Sequence, residues 1–375
     1  MIKDLRSQSL DLLRFPLAII IVSVHVFNSE SVIIQDRVYD VSSIQLYNDF
    51  LLFVDGFLRG ISVPVYFFIS GYVFFLGVDK FTKNVYLKKL KNRVYTLLIP
   101  FIIWNLPDII IGLGKYALNG VSAFQTYGTE VNFTLKNLLS CFWQYNGELL
   151  VPITAEGERI ISSSPFPINT PLWFIRDLMV VVLFTPVIEF IIKRTKFLFI
   201  VALAIISFIP NLHIPFLGAF LFFSIGAYLS IYKKDMVEEF GRLFKISMIV
   251  YPLFSLLTII STKYEFGVLT HIFKQLSIFG FLVFAYNISI FILKNTKIRA
   301  GKILPPASFF IYVAHTLVFA RMSKVMFMII KPDNGIETIF TYMTSITFTV
   351  LSLLFVFIVM KKYTPGVLRF VTGRK

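Results

Sequence analysis

This sequence has little sulfur and little acid. Its 375 residues include one cysteine, Cys141, which excludes a disulfide framework and a cysteine-based metal centre. The four histidines, His25, His213, His271 and His315, form no i,i+4 pair of the kind that holds a metal from one helix face, so no metal site is expected. No G-x-x-x-x-G-K-S/T loop, G-x-S-x-G elbow or H-E-x-x-H motif occurs, which removes P-loop nucleotide chemistry, α/β-hydrolase chemistry and zinc proteolysis. Charged residues make up only 15% of the chain, with 21 Asp plus Glu against 36 Lys plus Arg. There is no internal repeat, no low-complexity tract and no appended soluble domain. Residues 1–375 therefore read as a single transmembrane domain. The N-terminal apolar stretch is interrupted by Asp11 and Arg14 and lacks a small-x-small cleavage site, so it reads as an uncleaved first membrane helix.

Apolar and aromatic residues are what the chain has in excess, at 57% and 17%. Apolar runs fall at about 12–28, 57–77, 94–113, 172–192, 197–212, 214–232, 246–262, 271–293, 303–330 and 338–360, near the length a helix needs to cross a bilayer. The expected fold is an all-α polytopic integral membrane protein of about ten transmembrane helices. With the N-terminus inside, 24 basic residues fall in cytoplasmic segments, 6 on the opposite side and 6 within the spans. That asymmetry is the positive-inside pattern and places both termini in the cytoplasm. The net charge of +15 thus reports topology and attraction to the lipid bilayer, and no nucleic-acid partner is expected. The largest extramembrane piece is the outer loop at about 114–171. It carries an amphipathic portion around Leu138–Tyr145 and a polar, Pro-rich stretch from Pro152 to Pro171 with Ser162-Ser163-Ser164.

Within the first span, Arg14 precedes His25 by eleven residues. At about 100° and about 1.5 Å per residue, the two side chains point within about 20° of each other and lie about 16 Å apart. His25 then sits about half-way across a hydrocarbon core of ~30 Å, with Arg14 at the cytoplasmic mouth and Asp11 one turn before it. Ionisable groups at such depth usually mark a substrate path or a reaction centre. The alternative is a packing histidine bonded to a neighbouring carbonyl, with Arg14 as an anchor. A neutral imidazole in a partly dry site suits a general base, because its unperturbed pKa is near the working pH.

Other candidates read more plainly. Ser70-Gly71 in the second span, after a kink at Pro64, reads as a small-residue packing patch, or as a place where a substrate chain approaches the backbone. The loop with Lys80, Lys83, Lys88, Lys89, Lys91 and Arg93 is a topology signal that also suits a phosphate-rich ligand from the cytoplasm. Trp173 fits an interfacial aromatic belt, with Arg176, Asp177 and Glu189 as interfacial charges. Tyr312 and His315 share a face at i,i+3 and read as a satisfied intramembrane hydrogen bond, and Asp55 with Arg59 at the outer end of span two reads as a local ion pair.

Taken together, these residues resemble membrane acyltransferase family 3. Asp11-Leu12-Leu13-Arg14 followed by His25 looks like its R-x10-H signature, and Tyr66-Phe67-Phe68-Ile69-Ser70-Gly71 is similar to its second helix. Lys89 to Arg93 followed by Leu97-Leu98-Ile99-Pro100-Phe101 is similar to its basic loop and proline-containing third helix. Pro171-Leu172-Trp173-Phe174 and Ser308 to His315 match later landmarks, so the resemblance runs from about residue 8 to 360. One departure stands out: the family often has two arginines three apart in the basic loop, and here Leu90 stands three before Arg93.

The resemblance implies a bacterial inner-membrane O-acyltransferase. It would move an acyl group, usually acetyl, from cytoplasmic acyl-CoA to a hydroxyl of an envelope or exported glycan, or its lipid-linked precursor. It implies His25 as general base with Arg14 beside the chemistry, and Arg14, Lys89 and Arg93 on the CoA phosphates. Asp11, Ser70, Trp173, Tyr312 and His315 would line the path. Acyl-CoA is then a co-substrate, with no bound cofactor. A glycan or small-solute transporter or flippase remains the rival class, and a noncatalytic membrane partner of a glycan synthase is a third. Glycan-synthesis partners and a homo-oligomer both remain open.

Overall fold

The computed structural model describes residues 2–28, 32–34, 37–119, 128–146, 149–153 and 164–374. The Ser162-Ser163 part of the polar outer stretch lies outside them. Helix α1 (Ile2–Val26) leads into a two-stranded ribbon, β1 (Val32–Ile34) with β2 (Arg37–Tyr39), then α2 (Gln45–Phe57), α3 (Ser62–Phe75), α4 (Lys83–Arg93) and α5 (Ile99–Asn119). A second ribbon, β3 (Gly128–Val131) with β4 (Leu150–Ile153), brackets α6 (Leu135–Trp143). Then come α7 (Trp173–Leu183), α8 (Thr185–Thr195), α9 (Leu198–Ser207), α10 (Leu217–Ile231), α11 (Met236–Gly241) and α12 (Phe244–Lys263). The chain closes with α13 (Gly267–Asn295), α14 (Leu304–Ile330), α15 (Gly335–Tyr363) and α16 (Pro365–Val371). It forms two compact units, one of residues 1–89 and 180–358, the other of 90–179 and 359–375.

Among the described residues, seven helical segments are long and apolar enough to cross a membrane, and they answer to seven of the ten expected runs. The other three take a different form. The run at 172–192 breaks at Phe184, because Pro186 has no N–H for the Val182 carbonyl; the Thr185 hydroxyl donates to that oxygen instead, at 2.8 Å. The 10 residues of α9 and the 15 of α10 are each shorter than the ~20 a straight crossing needs.

In the first unit, α3 packs against α10 with almost no space between backbones. A Cβ on Gly71 would lie 2.0 Å from the Phe223 carbonyl oxygen, and one on Gly226 would lie 2.1 Å from that of Phe68. The Ser70-Gly71 patch is thus a helix-packing surface, as small residues at membrane helix interfaces commonly are. Both obstacles are backbone atoms, so no side-chain rotation relieves them. Gly71→Ala should destabilise the protein by about 1–3 kcal/mol, read as a lowered Tm of the purified protein. Adding Gly226→Ala should then cost less than it does alone, since the helices have already moved apart; full additivity would contradict the shared interface.

The unit's aromatic core fixes the end of α1. Tyr47 stacks on Tyr342 at 5.2 Å, and the Tyr47 hydroxyl donates to the Asn28 carbonyl at 2.8 Å. In the second unit, α4 passes into α5 through a π-turn at Val94–Leu98, next to Pro100, whose missing N–H interrupts the helical ladder. Helix α6 buries Cys141 and exposes Leu135, Leu139 and Trp143 at i, i+4 and i+8. That is the apolar stripe expected of a segment lying in the membrane interface.

Candidate active site

Helix α1 carries both members of the leading pair. The Arg14 guanidinium donates to Asp11 Oδ1 at 2.7 Å, one helical turn back, with both side chains more than a third exposed. The Tyr66 hydroxyl donates to the Arg14 carbonyl at 2.7 Å and ties α3 to α1. Lys3 to Gln8 continue the helix ahead of this pair, so that Arg14 falls in the middle of α1, and His25 lies in its last turn.

At that end, His25 faces a cavity of about 550 Å³ together with Asn28, Arg59, Ser323, Lys324 and Tyr342. The His315 ring, from α14, lies beside His25 with centroids 5.3 Å apart and planes tilted by 42°. His315 is fully buried, and its Nδ1 lies 2.7 Å from the Tyr312 carbonyl. A carbonyl only accepts, so Nδ1 carries the proton and Nε2 is left as the acceptor. Nε2 has no hydrogen-bond partner among the described residues. The expected Tyr312–His315 hydrogen bond is present and runs to the Tyr312 backbone carbonyl.

Arg59 owes its position to a break in the second span. Helix α2 ends at Phe57 and α3 begins at Ser62, with Gly60 at φ +82 in the turn between them. Arg59 Nε donates to the Asp55 carboxylate, the ion pair the spacing suggested. Because α2 starts at Gln45, that pair lies inside a helical segment spanning Gln45–Phe75 rather than at its outer end. The break frees backbone carbonyls of α2, and Lys274 of α13 donates its ammonium to those of Asp55 and Gly56.

The remaining candidates sit elsewhere. Ser70 is half-buried on α3, beside the Gly71 contact. The Lys89 ammonium, in the first unit, lies 5.1 Å from the centre of the Phe74 ring. Arg93, the last residue of α4, belongs to the second unit and is half-buried. Trp173 starts α7, also in the second unit, with its ring 6.1 Å from Phe166. Its neighbours are not loose interfacial charges. Arg176 pairs with Asp177 at 2.9 Å and donates to the carbonyls of Trp143 and Pro165 at 2.7 and 2.8 Å, with both charged side chains about nine-tenths buried. Nearby, Asn169 Nδ2 donates to the Trp104 carbonyl at 2.7 Å and the Asn169 amide to Asn105 Oδ1 at 3.1 Å. Together these bonds fasten the described end of the long loop onto α5 and α7. Among the described residues no cluster of His, Cys, Asp and Glu is arranged to hold a metal.

Arg59, Lys324 and the approach of His315 to His25 are what the sequence did not give. Their one-dimensional trace is faint: His315, Phe319 and Ser323 fall at i, i+4 and i+8 on α14 and so share a face.

A polytopic helical membrane protein with a histidine-bearing cavity at the end of its first helix is the class these features define. Residues 7–360 match the family described as an acyltransferase domain, acyltransferase family 3, and the chain belongs to it. A curated relative is the succinoglycan biosynthesis protein ExoH of Rhizobium meliloti (strain 1021), 28% identical over 196 residues. The match takes in 51% of this chain and 46% of that protein, so the chain spans about half the length of the relative. No solved structure matches the chain.

Proposed function

We propose that this acyltransferase moves an acyl group, acetyl in the simplest case, from cytoplasmic acyl-CoA to a hydroxyl of an envelope or exported glycan or its lipid-linked precursor. The observation that carries the reading is the His25 imidazole, set at an open cavity in a chain that belongs to an acyltransferase family. The name of the relative ExoH ties it to glycan biosynthesis and supports a carbohydrate acceptor. The basic asymmetry supports about ten passes through a bacterial inner membrane, with both termini in the cytoplasm. In that topology α1 runs outward, with Arg14 toward the donor side and His25 toward the acceptor side.

The chemistry follows from those positions. Arg14, Lys89 and Arg93 hold the CoA phosphates through forked and point-charge donors, and Asp11 steadies the Arg14 guanidinium. The pantetheine arm extends along the α1 stripe and brings the thioester toward His25. A neutral His25 nitrogen takes the proton of the acceptor hydroxyl as its oxygen attacks the thioester carbonyl. A C–O bond forms, the C–S bond breaks, and the proton passes from the imidazolium to the departing CoA thiolate. The acyl group goes directly to the acceptor, with no acyl-histidine intermediate. His315 is a positioning residue beside the base. Arg93→Ala should raise the KM for acyl-CoA about tenfold with little change in kcat, the scale of a lost charge-assisted hydrogen bond. An unchanged KM would leave the loop charges as topology signals only.

A further inference from the structure

The cavity at His25 is more strongly cationic than proton transfer requires. Its lining includes Arg59 and Lys324 and, among the described residues, no carboxylate. Asp55 takes the Arg59 Nε and leaves both terminal amino groups of the guanidinium without a partner among the described residues. The ion pair therefore orients the fork without consuming it, while Lys274 adds a third positive charge behind the same turn. Lys324 is exposed and has no ion-pair partner among the described residues. Asn28 and Ser323 add neutral polar side chains to the same lining. In a chain this poor in charge, two cations facing one open cavity form a built anion-recognition surface: the planar fork matches a carboxylate or phosphate, and the ammonium adds a point charge.

We propose that the cavity binds a negatively charged group of the substrate, a carboxylate or phosphate held between Arg59 and Lys324, and that this group places the reacting carbon or oxygen beside His25. The proposal rests on the reading of His25 as the reaction centre. The anionic group can be carried by the acceptor glycan, as an acidic sugar or phosphodiester, or by an acyl chain that ends in a carboxylate.

Both sources are tested in proteoliposomes containing the full-length protein. One arm compares a hexuronate-containing oligosaccharide with its carboxyl-reduced counterpart, using acetyl-CoA. The other compares succinyl-CoA with acetyl-CoA on the neutral oligosaccharide. The charged member of one pair should show a KM about tenfold lower than its neutral partner. Lys324→Gln and Arg59→Gln should each bring that ratio toward one by raising the KM of the charged member more than that of its neutral partner. A ratio in the first arm assigns the charge to the acceptor, and one in the second assigns it to the acyl chain. Ratios near one in both arms, or a ratio that survives both substitutions, overturn the proposal. Lys324 is exposed, so its variant remains informative even where Arg59→Gln folds poorly. If no acyl transfer occurs with any pair, the acyltransfer reading fails on its own. Equilibrium binding of the same four compounds to the purified protein then decides the cavity: charge preference lost in Lys324→Gln sustains it, and absence of preference overturns it.

Discussion

His25→Ala should lower kcat for acyl transfer by about 10²–10⁴-fold, the range that a positioned general base supplies, with the protein still present in the membrane at wild-type level. His25 is only half-buried, in the last turn of α1, and its replacement leaves the helix and its Tyr47 anchor in place. The expected loss is therefore in chemistry rather than folding. KM for acyl-CoA should change little, since the CoA-binding residues lie elsewhere. Transfer at an undiminished rate would remove His25 from the reaction. A parallel drop in membrane-inserted protein would make the effect structural.

Arg176→Leu should be the most damaging single change to stability, at about 3–5 kcal/mol. Removing one partner of a buried ion pair leaves the other charge buried and uncompensated. Here the partner is Asp177, and the carbonyls of Trp143 and Pro165 lose their donors in the same step. Arg176→Lys keeps the charge but not the planar fork and should recover only part of the loss. The pair Arg176→Leu with Asp177→Leu should be less unstable than Arg176→Leu alone, because no charge remains stranded. Thermal unfolding of the purified variants measures this order, and a loss under about 1 kcal/mol for Arg176→Leu would show that the cluster is solvated.

Much of the helical frame was legible because long apolar runs leave few alternatives in a bilayer. Seven of them became membrane-length helices. Elsewhere polar residues hid helical continuity. Asp49 and Asp55 kept α2 out of the apolar run at 57–77, so Asp55 and Arg59 seemed to mark a span end when they flank a break inside a longer segment. In the same way Lys3 to Gln8 hid the N-terminal part of α1, which begins at Ile2 rather than near residue 12. The Arg14–Asp11 pair was readable because it is local. The His25–His315 approach was not, since it depends on how α1 and α14 pack, and no spacing within either helix encodes that. Arg176 and Asp177 looked interfacial because they follow Trp173 at the start of an apolar run, and the acceptors of Arg176 include backbone carbonyls that carry no side-chain signature.

Acyl transfer at the His25 cavity is tested most directly by one measurement. Purified protein in proteoliposomes, given acyl-CoA labelled in its acyl group and an oligosaccharide acceptor, should place label on the oligosaccharide as an alkali-labile ester and release one free CoA thiol per ester. The His25→Ala protein should do neither above background. Movement of unmodified oligosaccharide across the bilayer without acyl-CoA, with no ester formed, would contradict the account and make the protein a transporter.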